Sequence, residues 1–196
     1  MQIIEPSVKL EGNFDAVNVM KLIEACGRTC YKSEATDNSA EKFVRMLIKR
    51  GHESVLEHFC ATFRIVCDRA IMAELTRHRL CSFSVESTRY CDYSRRGLAF
   101  VKPVDINGYL WENAMIRAEE AYFNLRDNGC PPEIARSVLP LSLATELVIT
   151  ANLREWRHIL KLRTSSKAHP QMRQIAAMIL AALKAKLPAV FEDIGD

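Results

Sequence analysis

The chain has 196 residues, 48% of them hydrophobic and 26% charged; that length predicts one domain burying roughly 70% of its unfolded surface, and the mix excludes intrinsic disorder. A net charge of +3, from 27 basic and 24 acidic residues, is too balanced for the basic stripe of a non-specific DNA binder. No apolar run approaches the ~18 residues of a membrane span, and the opening M-Q-I-I-E-P lacks the basic and apolar regions of a leader, so a cytoplasmic protein is expected, with neither membrane nor nucleic acid among its partners.

Residues 2–10 read as a strand interrupted by Pro6, and residues 15–26 as a helix ended by Gly27. Residues 39–50 form a second amphipathic helix, with Ser39 as its N-cap and Gly51 just past its end. The aromatic and β-branched stretch 58–66 predicts a strand, after which Asp68 caps a helix over 69–80. Residues 81–97, rich in hydroxyls and without helical period, read as a functional loop. A strand at 98–102 and a long helix at 109–128 follow. Pro131 and Pro132 open another helix at its first turn, and further helices are expected at 142–163 and 168–187. The sum is an α+β chain with more helix than strand, a single domain over residues 1–196.

Three clusters concentrate chemistry. In T-R-H-R-L-C-S-F-S-V-E-S-T-R-Y, over 76–90, Arg77, His78 and Arg79 are consecutive at the expected helix end. Each residue of a helix advances about 100°, so at least one of the three must point inward or toward a partner. Ser82, Ser84, Ser87, Thr88 and Arg89 follow; hydroxyls, loop amides and guanidinium groups together can cradle phosphate oxygens, although a solvated basic turn would read the same way. In G-H-E-S-V-L-E-H, over 51–58, His52 and His58 are six apart. That is the wrong spacing for two zinc ligands on one helical face, so no metal is expected and a ligand-facing turn or a structural histidine pair remains. Downstream, P-P-E-I-A-R sets Glu133 and Arg136 on one helical turn. N-L-R-E-W-R-H-I-L-K-L-R sets Asn152, Arg154, His158 and Arg163 on one helix. A buried guanidinium needs a carboxylate or an anionic ligand. The chain carries 17 Arg against 10 Lys, a bias suited to bidentate grip on such groups. Seven cysteines, an odd number with no C-x-x-C pair, predict reduced, buried thiols rather than a disulfide framework or zinc ribbon.

Arg77-His78-Arg79, seven residues, then Ser87 is the R-H-R-x7-S pattern, and the chain resembles the flavin-dependent thymidylate synthases. G-H-E-S-V-L-E-H, P-P-E-I-A-R-S-V-L-P-L-S and N-L-R-E-W-R-H-I-L-K-L-R match further segments in the same order, over roughly residues 25–190. The resemblance implies a helix-rich α+β protomer with a small antiparallel sheet, the thymidylate synthase-complementing protein fold. It implies homotetramers whose active sites are shared between subunits. It implies reductive methylation of dUMP to dTMP, with FAD as hydride carrier and NADPH and 5,10-methylenetetrahydrofolate as co-substrates. By the same resemblance Arg77, His78, Arg79, Ser54, Val85, Asn152, Arg154 and His158 would bind FAD, and His52 would sit near flavin and folate. Ser87, Thr88, Arg89 and Arg136 would hold the dUMP phosphate, with Glu74, Arg77 and Glu86 also beside the nucleotide. Arg163 would act catalytically, binding the uracil ring and favouring its N3-deprotonated form. Glu74 stands where some relatives carry Gln, Val85 where many carry a polar residue, and His158 where some carry Asn. His169-Pro170 stands where some relatives read A-Q-W.

Overall fold

The computed structural model describes residues 1–195. Strands β1 (Gln2–Ile4) and β2 (Ser7–Glu11) lie on either side of Pro6. Helix α1 (Ala16–Tyr31) starts at Asp15, whose carboxylate accepts from the Val17 amide at 2.9 Å, and helix α2 (Ala40–Lys49) follows. A 3-10 turn (Glu53–His58) leads into β3 (Cys60–Asp68), and the Asp68 side chain caps α3 (Arg69–Leu75) by accepting from the Ile71 amide at 2.7 Å. Then come β4 (Ser82–Val85), β5 (Ala99–Val101), α4 (Gly108–Asp127), the short α5 (Pro132–Ala135) with its 3-10 continuation (Arg136–Val138), and β6 (Ala144–Asn152). Helices α6 (Leu153–Arg163), α7 (Pro170–Lys186) and α8 (Pro188–Phe191) complete the fold. The class is α+β, about 50% helical with a small antiparallel sheet. Four strands join in the order β2-β3-β6-β4, and β1 pairs separately and in parallel with β5.

Four expectations need correction. Gly27 does not end α1 but lies buried within it: an added Cβ would stand 2.7 Å from Phe43 Cε1 and 3.1 Å from Leu47 Cδ1. The missing side chain lets α2 approach closely, which outweighs glycine's weak helix propensity. Helix α3 stops at Leu75 rather than residue 80. The Thr76 amide bonds Met72 O and Glu74 O, the Arg77 amide bonds Glu74 O, and Arg77–Arg79 therefore leave the helix. The stretch expected as loop contains β4. The expected helix 142–163 is a strand followed by a helix. Along β6 Thr145, Leu147, Ile149 and Ala151 are buried while the alternate residues are not, a period of two that a helix cannot satisfy. Asn152 then caps α6, its Oδ1 accepting from the Glu155 amide at 2.8 Å.

The chain divides into two compact units. The first comprises residues 1–7, 65–77 and 83–148, and the second 8–64, 78–82 and 149–196. Tyr93, Leu98, Phe100, Trp111, Met115, Tyr122, Ala135 and Leu143 form a core in the first. In the second, Phe63 meets Trp156 edge to face at 5.1 Å, and the indole donates to Ala61 O at 2.9 Å. All seven cysteines are free thiols, as expected, but only Cys67 is buried. Among the described residues no helix is long and apolar enough to cross a membrane.

Candidate active site

In the second unit the chain turns His78 inward, leaving it 7% exposed, while Arg79 stays exposed. Arg163, the last residue of α6, donates from Nε to His78 Nε2 at 3.0 Å. The Glu155 carboxylate faces His78 Nδ1 at 3.9 Å, and the His158 ring stands edge to face at 6.3 Å. Burial first, then the Arg163 charge and then His158 push the His78 pKa down to about 4, so the ring is neutral at neutral pH. Burial, reinforced by Glu155, pushes the nearby Cys81 thiol up to about 12, which leaves it protonated and a weak nucleophile.

The depressed His78 pKa has a stability consequence. Unfolded, the imidazole titrates at its ordinary 6.5, so between about pH 6.5 and 4 the unfolded chain binds a proton the folded chain excludes. The contribution is therefore present above about pH 6.5 and lost as pH falls toward 4. Melting temperature should decline across that window, and a His78→Gln protein should decline less steeply; equal slopes would contradict a buried neutral ring.

The turn after α2 is also built in this unit. Gly51 takes φ +73, the left-handed conformation that glycine adopts without strain. His52 and Ser54 are exposed; the His52 Nδ1 lies 3.0 Å from the Tyr31 hydroxyl. Between them Glu53 is held by Arg157, which donates to Glu53 Oε1 at 3.2 and 3.1 Å, to Asp193 at 2.6 and 2.8 Å, and to Val190 O. Arg154 pairs with Glu57 at 2.6 Å on the surface, and His158 is exposed.

The first unit carries a second constellation. Arg136 Nη1 donates to Thr88 Oγ1 at 3.1 Å, joining positions 48 apart. Thr88 is buried, Ser87 half-buried and Arg89 exposed. The Arg89 amide donates to Ser87 Oγ at 3.3 Å, and its guanidinium stands 3.8 Å from Glu133. Glu86 behind this loop is fully engaged: Tyr93 Oη donates to one carboxylate oxygen at 3.1 Å, the Glu146 amide to the other at 3.4 Å, and Arg69 Nη2 to its carbonyl at 3.1 Å. Arg77 is exposed just past α3, Glu74 half-buried on α3, and Val85 half-buried at the end of β4. Thus the residues expected to hold phosphate lie together in this unit. His52, Ser54, His78, Arg79, Asn152, Arg154, His158 and Arg163 lie in the other.

Sequence reading missed Glu155, Arg157, Arg69 and Tyr93. The first could have been suspected, since a Glu three residues past an Asn at a helix start is a capping pattern. The partners of Arg157, 104 and 36 positions away, leave no local trace. A groove of about 830 Å³ in the second unit, lined by Lys21, Glu24, Ser39, Lys42, Arg45 and Lys186 among others, contains none of these site residues.

An α+β protein with one arginine-hydroxyl cradle and a second constellation of arginines and histidines is equipped to bind anionic nucleotides. Comparison with known proteins is consistent with that class. The family model described as thymidylate synthase complementing protein matches residues 15–189. A "Probable flavin-dependent thymidylate synthase" of Mycobacterium phage L5 is 35% identical over 205 residues, covering 94% of this chain and 83% of its own. A flavin-dependent thymidylate synthase of Geobacter sulfurreducens is 34% identical, covering 88% of this chain and 81% of its own. The crystal structure of a UMP/dUMP methylase from Streptomyces cacaoi bound with 5-Br dUMP superposes with a TM-score of 0.81 at 27% identity, over 98% of this chain and 96% of that one. The chain belongs to the thymidylate synthase complementing protein family, as its ordered motifs led us to expect.

Proposed function

We propose that the protein is a flavin-dependent thymidylate synthase, converting dUMP to dTMP by reductive methylation. The carbon comes from 5,10-methylenetetrahydrofolate and the reducing equivalents from NADPH. The observation that carries the nucleotide half of this reading is the bond between Arg136 and buried Thr88. It brings two separate motifs, with Ser87 and Arg89, into one cradle for a phosphate dianion. The donor set of the second unit suits FAD. Arg79 and Arg154 are exposed cations, Ser54 and His52 line a solvent-facing turn, and Asn152 and His158 sit on or beside α6. The Arg154–Glu57 pair is a surface ion pair, cheap to exchange for a ligand phosphate. When bound, FAD supplies hydride transfer. The family resemblance also assigns Arg77 and Val85 to flavin, and Glu74, Arg77 and Glu86 to the nucleotide.

The chain's own residues then position and polarise. The phosphate cradle fixes dUMP so that its ring is held in register. Arg163, anchored by His78, presents a permanent positive charge that favours the N3-deprotonated uracil and so enriches the ring in electrons. No protein thiol has to attack the pyrimidine. Residues 1–196 act as one cytoplasmic domain in a homotetramer with shared active sites and folate as the second small-molecule partner.

Turnover of dUMP, UMP and dCMP compared side by side on the yellow, flavin-loaded protein tests this reading. Methylation of dUMP should dominate; preference for dCMP, or a colourless protein inert to all three, would overturn it. Ser87→Ala should weaken dUMP binding about 10-fold, the loss of one phosphate hydrogen bond, while leaving measurable turnover. Complete inactivity with unchanged dUMP affinity would instead make Ser87 a nucleophile.

A further inference from the structure

We propose that Glu155 is a positioning residue: acting through the buried His78 ring, it fixes the orientation of the Arg163 guanidinium. The inference rests on the proposed role of Arg163 and deepens it. A guanidinium nitrogen can only donate. The 3.0 Å bond from Arg163 Nε to His78 Nε2 therefore requires a lone pair on Nε2, and a neutral ring with that lone pair carries its proton on Nδ1. The charged group facing Nδ1 is the Glu155 carboxylate, at 3.9 Å. Arg163 demands the lone pair on Nε2 and Glu155 favours the proton on the opposite nitrogen, so the two act on the ring together; His158 only disfavours added positive charge.

A role as a helix-start residue does not account for Glu155. Its amide already serves that purpose by donating to Asn152, and a carboxylate interacting with the first turn of a helix gains as much at the surface. Glu155 is instead 8% exposed, beside an equally buried histidine, where a carboxylate without a complementary partner would be costly. Ordered in this way, Glu155, His78 and Arg163 resemble the arrangement in which a carboxylate sets the tautomer of an imidazole that in turn holds a functional group. Here the group held is a cation.

The test is a magic-angle-spinning 15N spectrum of the histidine-labelled holoenzyme, with the His78 signal assigned by its loss in His78→Gln. The wild-type ring should be neutral and protonated on Nδ1; an Nε2-protonated or doubly protonated ring overturns the proposal without any variant. In Glu155→Leu the ring should redistribute toward Nε2–H, and kcat should fall about 10- to 100-fold through misplacement of Arg163, with KM for dUMP little changed. Glu155→Gln, whose amide oxygen still accepts, should keep the wild-type tautomer and restore kcat to within a few-fold. An unchanged tautomer and rate in the Leu protein, or equal loss of rate in Gln and Leu proteins, overturns the proposal. The tautomer measurement needs no turnover. A wild-type enzyme inert toward dUMP would therefore sink the functional reading while leaving the positioning claim to be decided by the spectrum.

Discussion

Replacing Arg163 by alanine is expected to lower dUMP methylation about 100- to 1,000-fold, the usual consequence of removing a preorganised charge aimed at a developing anion. The purified variant should remain yellow. Arg163 donates to His78, and none of the hydrogen bonds given above for His52, Asn152 and Arg154 runs through Arg163. His78 would lose one donor and one positive neighbour, and its pKa would rise from about 4 toward its ordinary value. Single-turnover rates and flavin absorbance on the same sample check both halves of the prediction. Loss of flavin with retained turnover would move Arg163 from the pyrimidine to the cofactor.

Arg157→Ala is expected to be the most destabilising single change described here, by about 3 kcal/mol. Arg157 is 1% exposed and anchors two separated segments: Glu53 in the turn after α2, and Asp193 with Val190 O after α7. Breaking a fully buried pair costs about 3–5 kcal/mol because a charge is left uncompensated. Here the abandoned carboxylates are 21% and 45% exposed and Glu53 keeps Lys161 at 3.6 Å. Hydration therefore offsets part of that cost, while the cavity left by the side chain adds to it. The urea midpoint at one protomer concentration should fall with little change in slope. Hydrogen bonds from Arg157 hold the Asp193 carboxyl below its ordinary 3.8. Its stabilisation is thus present above about pH 4 and lost as acid protonates it, and the variant should lose that acid-side slope. Because Glu53 lies between His52 and Ser54, the substitution should also loosen flavin binding.

Much of this protein is legible in its residues, and the illegible parts have physical causes. The R-H-R-x7-S spacing, the G-H-E-S turn and the order of the four motifs pointed to the family. The inward turn of one of three consecutive cationic or titratable residues also followed, although the chain had already left the helix. Gly27 misled because a local helix-breaking rule competes with close approach to Phe43, which only the fold reveals. Residues 144–152 misled because their composition tolerates a helix; partnership with β3, for instance Thr62 Oγ1 to Thr150 Oγ1 at 2.8 Å, makes them a strand. Hydroxyls and arginines led us to expect an anion cradle, but nothing in the sequence marked that both Glu86 carboxylate oxygens are occupied. The partners of Arg157 are equally invisible, since nothing in the sequence near a charged residue marks an ion pair formed by distant segments.

The most direct test of the central claim is tritium release from dUMP labelled at C5, in the presence of NADPH and 5,10-methylenetetrahydrofolate, with and without FAD. Release that requires FAD and matches dTMP formed is the predicted result. Release that is equal without FAD, or absent from the flavin-loaded protein, would contradict it.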